Sequence, residues 1–96
     1  MSSAKRATGS PLFNRKAKKL KKNEKSRLDD EVRGLLENPE KGEEKKGDLR
    51  GVLVHKYKLN KEQILIAYEI TDYGIHLLTF GSHENYYRDL KNYLKD

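Results

Sequence analysis

Apolar residues recur with helical spacing near the start of the chain. Phe13, Ala17 and Leu20 lie at positions i, i+4 and i+7, which form one face of a helix. Ser10 and Pro11 precede them, and a hydroxyl cap followed by proline is a typical helix start. The pattern therefore predicts a first helix that begins at Pro11.

A second set of apolar residues predicts a second helix. It would run from Glu24 or Ser26 to Glu37. Its members share one helix face: Leu28, Val32, Leu35 and Leu36. Asn38-Pro39 ends the pattern, because a residue before proline resists the helical conformation. Charged residues and two glycines then fill positions 40–50, which favours a loop.

The second half of the chain has the pattern of strands. We predict strands at Gly51–Leu59, Gln63–Thr71 and Ile75–Phe80, joined by two short turns that make an antiparallel meander. A last helix, His83–Lys95, would follow the possible cap Ser82. The predicted fold class is α/β, more narrowly α+β. One sheet face would pack on the two N-terminal helices, and the other would be open to solvent or a ligand.

Alternation within the first predicted strand separates its side chains into two sets. One sheet face receives Val52, Val54, Lys56 and Lys58. The opposite face receives Leu53, His55, Tyr57 and Leu59. Two lysines on one face are about 6.5–7 Å apart along a strand. We therefore expect a pair of neighbouring positive charges on this face.

Composition limits the class of protein. The chain has 96 residues and no cysteine, which predicts one domain without disulfides or thiolate metal sites. We expect a flexible N-terminus at residues 1–9 and a single domain at residues 10–96. The alternative for the terminus is a short edge strand near Lys5–Gly9, which has no apolar alternation to support it. No stretch approaches the roughly 20 apolar residues of a membrane span. We expect a cytoplasmic protein without a membrane partner.

The positive charge is concentrated in the first third of the chain. The net charge is +6 overall, with +7 in residues 1–30, +1 in residues 31–60 and −2 in residues 61–96. Such a concentration favours nucleic acid or another polyanion as a partner. Lys18, Lys19 and Lys22 are candidate contacts to a phosphate backbone. The alternative is an ordinary basic helix face in contact with solvent.

The order of motifs resembles the RelE/ParE superfamily of type II toxins. The residues that carry the resemblance are "LLENP", "KGEEKKGDLRG", "VHKYKL", "ILIAYEI" and "LLTFGSHENYY", within residues 11–96. The resemblance implies a RelE-like fold and a partner antitoxin. It also implies a target: RelE-like members cut messenger RNA in the ribosomal A site without a metal, whereas ParE-like members inhibit DNA gyrase.

The resemblance also implies which residues form the site. Lys56 and Lys58 match two lysines of the RelE pattern, and His83 followed by Tyr87 matches the "GSH" ending of YafQ-like toxins. Two arginines of these relatives are missing. Leu65 stands at the position of a RelE arginine, and Thr79 at that of a YafQ-like arginine. The catalytic set is therefore a mosaic of the two relatives.

These residue types suit cleavage of RNA without a metal or other cofactor. The adjacent 2′-hydroxyl attacks the phosphate, so a base, an acid and cations are required. His83 is the candidate acid or base, Lys56 and Lys58 the candidate charge clamp, and Tyr87 a candidate for stacking on a base or orienting a proton. Three further cations are candidate phosphate contacts: Lys45, Lys46 and Arg50. His55 and His76 lie within strands, where structural roles are expected.

Two other function classes stay open at this stage. One is a ParE-like toxin that inhibits DNA gyrase and catalyses nothing. The other is a plain nucleic-acid-binding module or a decayed toxin. The cluster of Lys56, Lys58 and His83 favours the nuclease, and the missing arginine weighs against it. In either toxin reading the expected partner is an antitoxin, with ribosome and messenger RNA added for the nuclease.

Overall fold

The computed structural model describes residues 5–44, 51–82 and residue 88. Its helices and strands, in chain order, are β1 (Arg6–Gly9), α1 (Pro11–Lys18), α2 (Lys22–Glu37), β2 (Glu43–Glu44), β3 (Leu53–Leu59), β4 (Glu62–Thr71) and β5 (Gly74–Gly81), with a short 3-10 helix (Pro39–Lys41) before β2. Both predicted N-terminal helices and all three predicted strands are present. The predicted C-terminal helix lies outside the described residues, apart from Arg88.

The five strands form one sheet in the order β1-β5-β4-β3-β2. Strands β3, β4 and β5 pair antiparallel through two short hairpins, which confirms the predicted meander. The β3–β4 turn consists of Asn60 and Lys61, whose φ angles are 52° and 73°. Two consecutive positive φ angles are typical of a tight hairpin turn that matches the sheet twist.

The N-terminal strand β1 matches the alternative of a short edge strand near Lys5–Gly9. It pairs parallel to β5, from Arg6 opposite Gly74 to Gly9 opposite Leu77. Gly74 has φ 147°, and a side chain there would collide with the carbonyl of Arg6. Only Ala7 of β1 packs against the core, and the sequence of this strand accordingly shows no apolar alternation. Its position depends on pairing with a strand more than sixty residues away, which no local pattern indicates.

Both helices pack on one face of the sheet. Ser10 fixes the start of α1, because its Oγ accepts from Phe13 N at 3.0 Å and donates to Leu78 O at 2.7 Å. The ring of Phe13 meets that of Phe80 edge to face at 5.0 Å. Helix α2 begins two residues before the earliest start we expected, since the Glu24 carboxylate accepts the Lys21 N–H at 2.9 Å.

The middle of the opposite sheet face is also buried. Five residues there form a second apolar cluster, each 2% exposed or less: Val52, Val54, Leu65, Ala67 and Leu78. The expectation that this whole face is open is therefore wrong over its central part. The sequence of β4 is consistent with this burial, because its consecutive apolar residues place apolar side chains on both faces of the sheet. A shift in register between Ala67 and Tyr68 leaves Leu78 of β5 without a partner on β4.

Candidate functional site

Lys56 and Lys58 lie on the sheet face opposite the helices, as their alternation predicts. Lys56 pairs with Leu65 on β4, and Lys58 pairs with Gln63. Both lysines are exposed. Within residues 5–44 and 51–82 neither side chain makes a hydrogen bond or an ion pair. Two neighbouring ammonium groups without a carboxylate partner are suited to bind a phosphate.

The second apolar cluster lies beside the two lysines. Leu65, which pairs with Lys56, is 2% exposed and belongs to the second apolar cluster. Leu65 pairs in turn with Gly81 at the end of β5, directly before Ser82. The missing RelE-type arginine is thus replaced by a buried leucine. A charge beside apolar atoms attracts a phosphate more strongly than it would in open water.

Five of the ten predicted site residues lie outside the described residues: His83, Tyr87, Lys45, Lys46 and Arg50. The structure does show where the chain lies just before residues 83–87, at Gly81 and Ser82. Leu65 of β4 pairs with Lys56 of β3 on one side and with Gly81 of β5 on the other, so one strand separates Gly81 from Lys56. Adjacent strands lie about 4.8 Å apart. The chain therefore leaves β5 about two strand spacings from Lys56.

A lysine of α1 reaches β5 at Thr79, a contact that the sequence did not indicate. Lys16 Nζ lies 3.3 Å from Thr79 Oγ1 and 5.4 Å from the centroid of the Phe80 ring. Thr79 is the position at which YafQ-like toxins carry an arginine. A cation from another element is therefore present beside this position. In the sequence, Lys16 was recognisable only as one of several basic residues in the first helix.

On the other face of β3, His55 joins a hydrogen-bonded cluster with two residues of α2. His55 Nε2 lies 2.7 Å from Glu31 Oε1, and Arg27 Nε donates to Glu31 Oε2 at 3.0 Å. The Arg27 guanidinium also lies 5.3 Å from the centroid of the Tyr57 ring. His55 is only 8% exposed, which confirms its predicted packing role. The i,i+4 spacing of Arg27 and Glu31 was visible in the sequence, but their partner His55 was not.

Burial and neighbouring charges shift two acid groups of this cluster. Burial raises the pKa of Glu31, but hydrogen bonds from His55 and Arg27 and their positive charges outweigh it, so the pKa lies below its usual value. Burial raises the pKa of Tyr57 to about 12, with a further contribution from the charge of Glu31. The cluster therefore favours a charged carboxylate and a neutral phenol.

His76 and Tyr68 hold the sheet to neighbouring segments. His76 Nδ1 lies 2.8 Å from Thr8 Oγ1, so it links β5 to β1, as expected of a structural residue. Tyr68 is fully buried, and its hydroxyl donates to Pro39 O at 2.6 Å and accepts from Gly42 N at 3.0 Å. These bonds anchor the segment that precedes residues 45–50.

Two groups of cations in the helices differ in their pairing. The three predicted phosphate contacts are exposed and make no ion pair in the part of the chain that the structure describes: Lys18, Lys19 and Lys22. Three cations further along α2 are matched by acids on the same helix: Lys25 by Asp29, Arg27 by Glu31 and Arg33 by Asp30. The available positive charge is therefore concentrated at the α1–α2 elbow, residues 18–22.

The described residues show neither a metal centre nor a membrane span. Over residues 5–44 and 51–82, no three histidine or acidic side chains converge as metal ligands would. No helix in these ranges is long and apolar enough to cross a membrane.

Comparison with known proteins gives a family and a fold. Residues 8–91 match the family described as the ParE-like toxin of type II bacterial toxin-antitoxin systems. No curated protein sequence gives a match. The isolated RelE toxin of E. coli is similar in structure, with a TM-score of 0.63 and 19% identity over 93% of this chain and 98% of that chain. A chain of the E. coli RelBE toxin-antitoxin complex has a TM-score of 0.64 and 17% identity over 82% of this chain and 96% of that chain.

Proposed function

Because the chain belongs to the ParE-like toxins of type II bacterial toxin-antitoxin systems, we propose that this toxin is an endoribonuclease that cuts messenger RNA in the ribosomal A site without a metal. The observation that carries the proposal is the pair Lys56 and Lys58. Both are exposed on the face opposite the helices, and neither side chain has a hydrogen-bond or ion-pair partner within residues 5–44 and 51–82. Exposed lysines are common on the solvent face of a strand, and what favours the nuclease is that these two share one face and match the lysine pair of the RelE pattern.

The proposed reaction moves two protons and exchanges one bond at phosphorus. The 2′-oxygen forms a bond to phosphorus while a base takes its proton, and the bond to the 5′-oxygen breaks as an acid protonates that oxygen. His83 acts as the acid or the base. Lys56 and Lys58 stabilise the negative charge that builds up on the phosphate oxygens. Tyr87 stacks on a base or orients the proton.

Other cations extend the proposed RNA contact. Lys16 supplies positive charge beside Thr79, where YafQ-like relatives carry an arginine. The elbow lysines contact phosphates of the nucleic-acid backbone: Lys18, Lys19 and Lys22. We propose the same role for the loop cations Lys45, Lys46 and Arg50. Such contacts position the substrate without reading its sequence.

A toxin of a type II system implies a cognate antitoxin, and the similar E. coli RelE was solved in complex with its antitoxin. We propose that a segment of the antitoxin wraps the sheet and covers the basic surface. A disordered segment that folds on binding can cover such a surface. We also propose that the toxin acts in the cytoplasm, where its target is translated.

Inhibition of DNA gyrase is the second candidate. It is favoured by the ParE-like description of the family and by the buried Leu65 in the position of a RelE arginine. In that case the toxin would bind a protein target and catalyse nothing. The exposed lysines would then contribute to binding only.

The two candidates are separated by controlled expression in cells with mapping of messenger RNA 5′ ends. A ribosome-dependent nuclease produces new 5′ ends that keep the reading frame and disappear when translation is blocked. DNA damage without such ends would refute the nuclease and support gyrase inhibition.

A further inference from the structure

A groove at one end of the sheet has the opposite charge to the rest of the protein. Its cavity of about 210 Å³ lies between the α1–α2 elbow and the helix-covered face. Five apolar or aromatic residues line it: Leu20, Tyr57, Leu59, Ile64 and Phe80. The described lining also contains the carboxylates Glu24 and Glu62 and no lysine or arginine. The groove is thus apolar with an acidic rim, in a chain of net charge +6.

Both carboxylates are available to an occupant. Glu24 uses its Oε1 to accept the Lys21 N–H at 2.9 Å, which leaves Oε2 outside the helix cap. Glu62 is exposed, and within residues 5–44 and 51–82 it makes no ion pair. Two carboxylates at the rim therefore remain available to pair with a basic group of an occupant.

The size of the groove fits a side chain rather than a large ligand. An apolar cavity of about 150 Å³ can hold one benzene-sized group. A volume of about 210 Å³ therefore holds one large apolar side chain with space around it. Leu20 lines the groove and lies between Lys19 and Lys22 in the chain, so the groove adjoins the basic elbow.

We propose that this groove binds a segment of the antitoxin in which a large apolar residue lies beside lysine or arginine. The apolar side chain enters between Leu20, Ile64 and Phe80, and its basic neighbour pairs with Glu24 and Glu62. The proposal rests on the toxin identity and adds the chemistry of the partner. The antitoxin would contact the basic elbow and the acidic groove side by side. Two adjacent surfaces of opposite charge would fix its register on the toxin.

The test measures binding of purified toxin to the antitoxin encoded with it. Glu24→Gln with Glu62→Gln removes both charges, and glutamine at position 24 can still accept the Lys21 N–H. We expect binding to weaken about 3- to 10-fold, as for partly exposed ion pairs. Glu62→Lys should weaken it further. Glu37→Gln, on an exposed residue outside the groove, is the matched control and should leave affinity unchanged.

The outcomes separate this inference from the proposed nuclease. An affinity of the double variant equal to that of Glu37→Gln, or tighter binding, would overturn the groove assignment. Loss of affinity in a toxin that makes no cuts in messenger RNA would support the groove and reject the nuclease. Normal antitoxin binding by the double variant, in a toxin whose wild type does cut, would reject the groove alone.

Discussion

The two faces of strand β3 use charge in different ways. On the helix-covered face, His55 is buried and bound to Glu31, which also accepts from Arg27. On the other face, Lys56 and Lys58 are exposed and have no partner among the described residues. Residues adjacent in sequence thus have different roles. The paired charges hold a helix to the sheet, and the unpaired charges are available to a ligand.

The same contrast recurs in the helices. Lys25, Arg27 and Arg33 of α2 are paired with acids of the same helix, whereas, within the described residues, the cations of the elbow are not. Pairing within the fold therefore separates structural charges from candidate functional ones better than the count of lysines does. If this distinction is right, substitutions on the paired side should change stability. Those on the unpaired side should change binding and catalysis and leave the fold intact.

The largest effect is expected from His83, the proposed proton-transfer residue. His83→Ala should lower the rate of cleavage of ribosome-bound messenger RNA by about 10²–10⁴, which is typical for loss of such a group. Ribosome binding and the free energy of unfolding should remain close to wild type. His76→Ala is the control, because His76 links β1 to β5 and should act through stability alone. A wild-type rate for His83→Ala would refute the role of His83.

On the paired face, Glu31→Ala should destabilise the protein. It removes the acceptor of both His55 and Arg27 and leaves a buried histidine without its partner. We expect a loss of about 2–3 kcal/mol in the free energy of unfolding, measured by urea denaturation. Glu37→Ala, at an exposed position of the same helix, should cost little. An unchanged urea midpoint for Glu31→Ala would show that the cluster does not hold α2 to the sheet.

Acid should remove the contribution of Glu31. Its pKa in the folded protein lies below its usual value of 4.5. The stability it provides is therefore fully present above pH 4.5 and is lost as the pH falls through the lower folded value. Wild type should be more stable than Glu31→Gln at pH 7, and the difference should shrink at pH values below 4.5. A difference that stays constant on acidification would contradict the charged form of Glu31.

The smallest effect concerns the unpaired cations of the elbow. Replacing Lys18, Lys19 and Lys22 with glutamine should reduce the slope of log affinity for single-stranded RNA against log salt by about 2, or about 0.7 for each lost phosphate contact. Lys25→Gln with Arg33→Gln removes paired cations of α2 and should change the slope less. Equal changes in the two variants would mean that pairing within the helix does not decide which cations contact RNA.

Local patterns predicted most of the fold. The helices were visible from their apolar spacing and from the Ser10 cap, and the meander from alternation and short turns. The strand β1 could be given only as an alternative to a flexible terminus, because Arg6–Gly9 is held by parallel pairing with β5 rather than by its own apolar pattern. Burial of the second sheet face was also missed, although the continuous apolar run of β4 indicated it.

The candidate site was predictable only where it depends on alternation along one strand. That rule correctly placed Lys56 and Lys58 on one face and His55 on the other. Contacts between distant elements were not predictable. The contact of Lys16 with Thr79 depends on how α1 lies against β5, and that of His55 with Glu31 on how α2 lies against β3. The acidic groove likewise exists only once the elbow meets the end of the sheet.

The most direct test of the unpaired face is single-turnover cleavage of ribosome-bound messenger RNA by Lys56→Ala with Lys58→Ala. We expect a rate at least about 10² below wild type, comparable to loss of a group that stabilises transition-state charge, with unchanged stability. Lys5→Ala with Lys41→Ala removes the same charge from two exposed positions elsewhere and should cut at the wild-type rate. A wild-type rate for the Lys56 and Lys58 variant, or an equal loss in both variants, would contradict the proposed site.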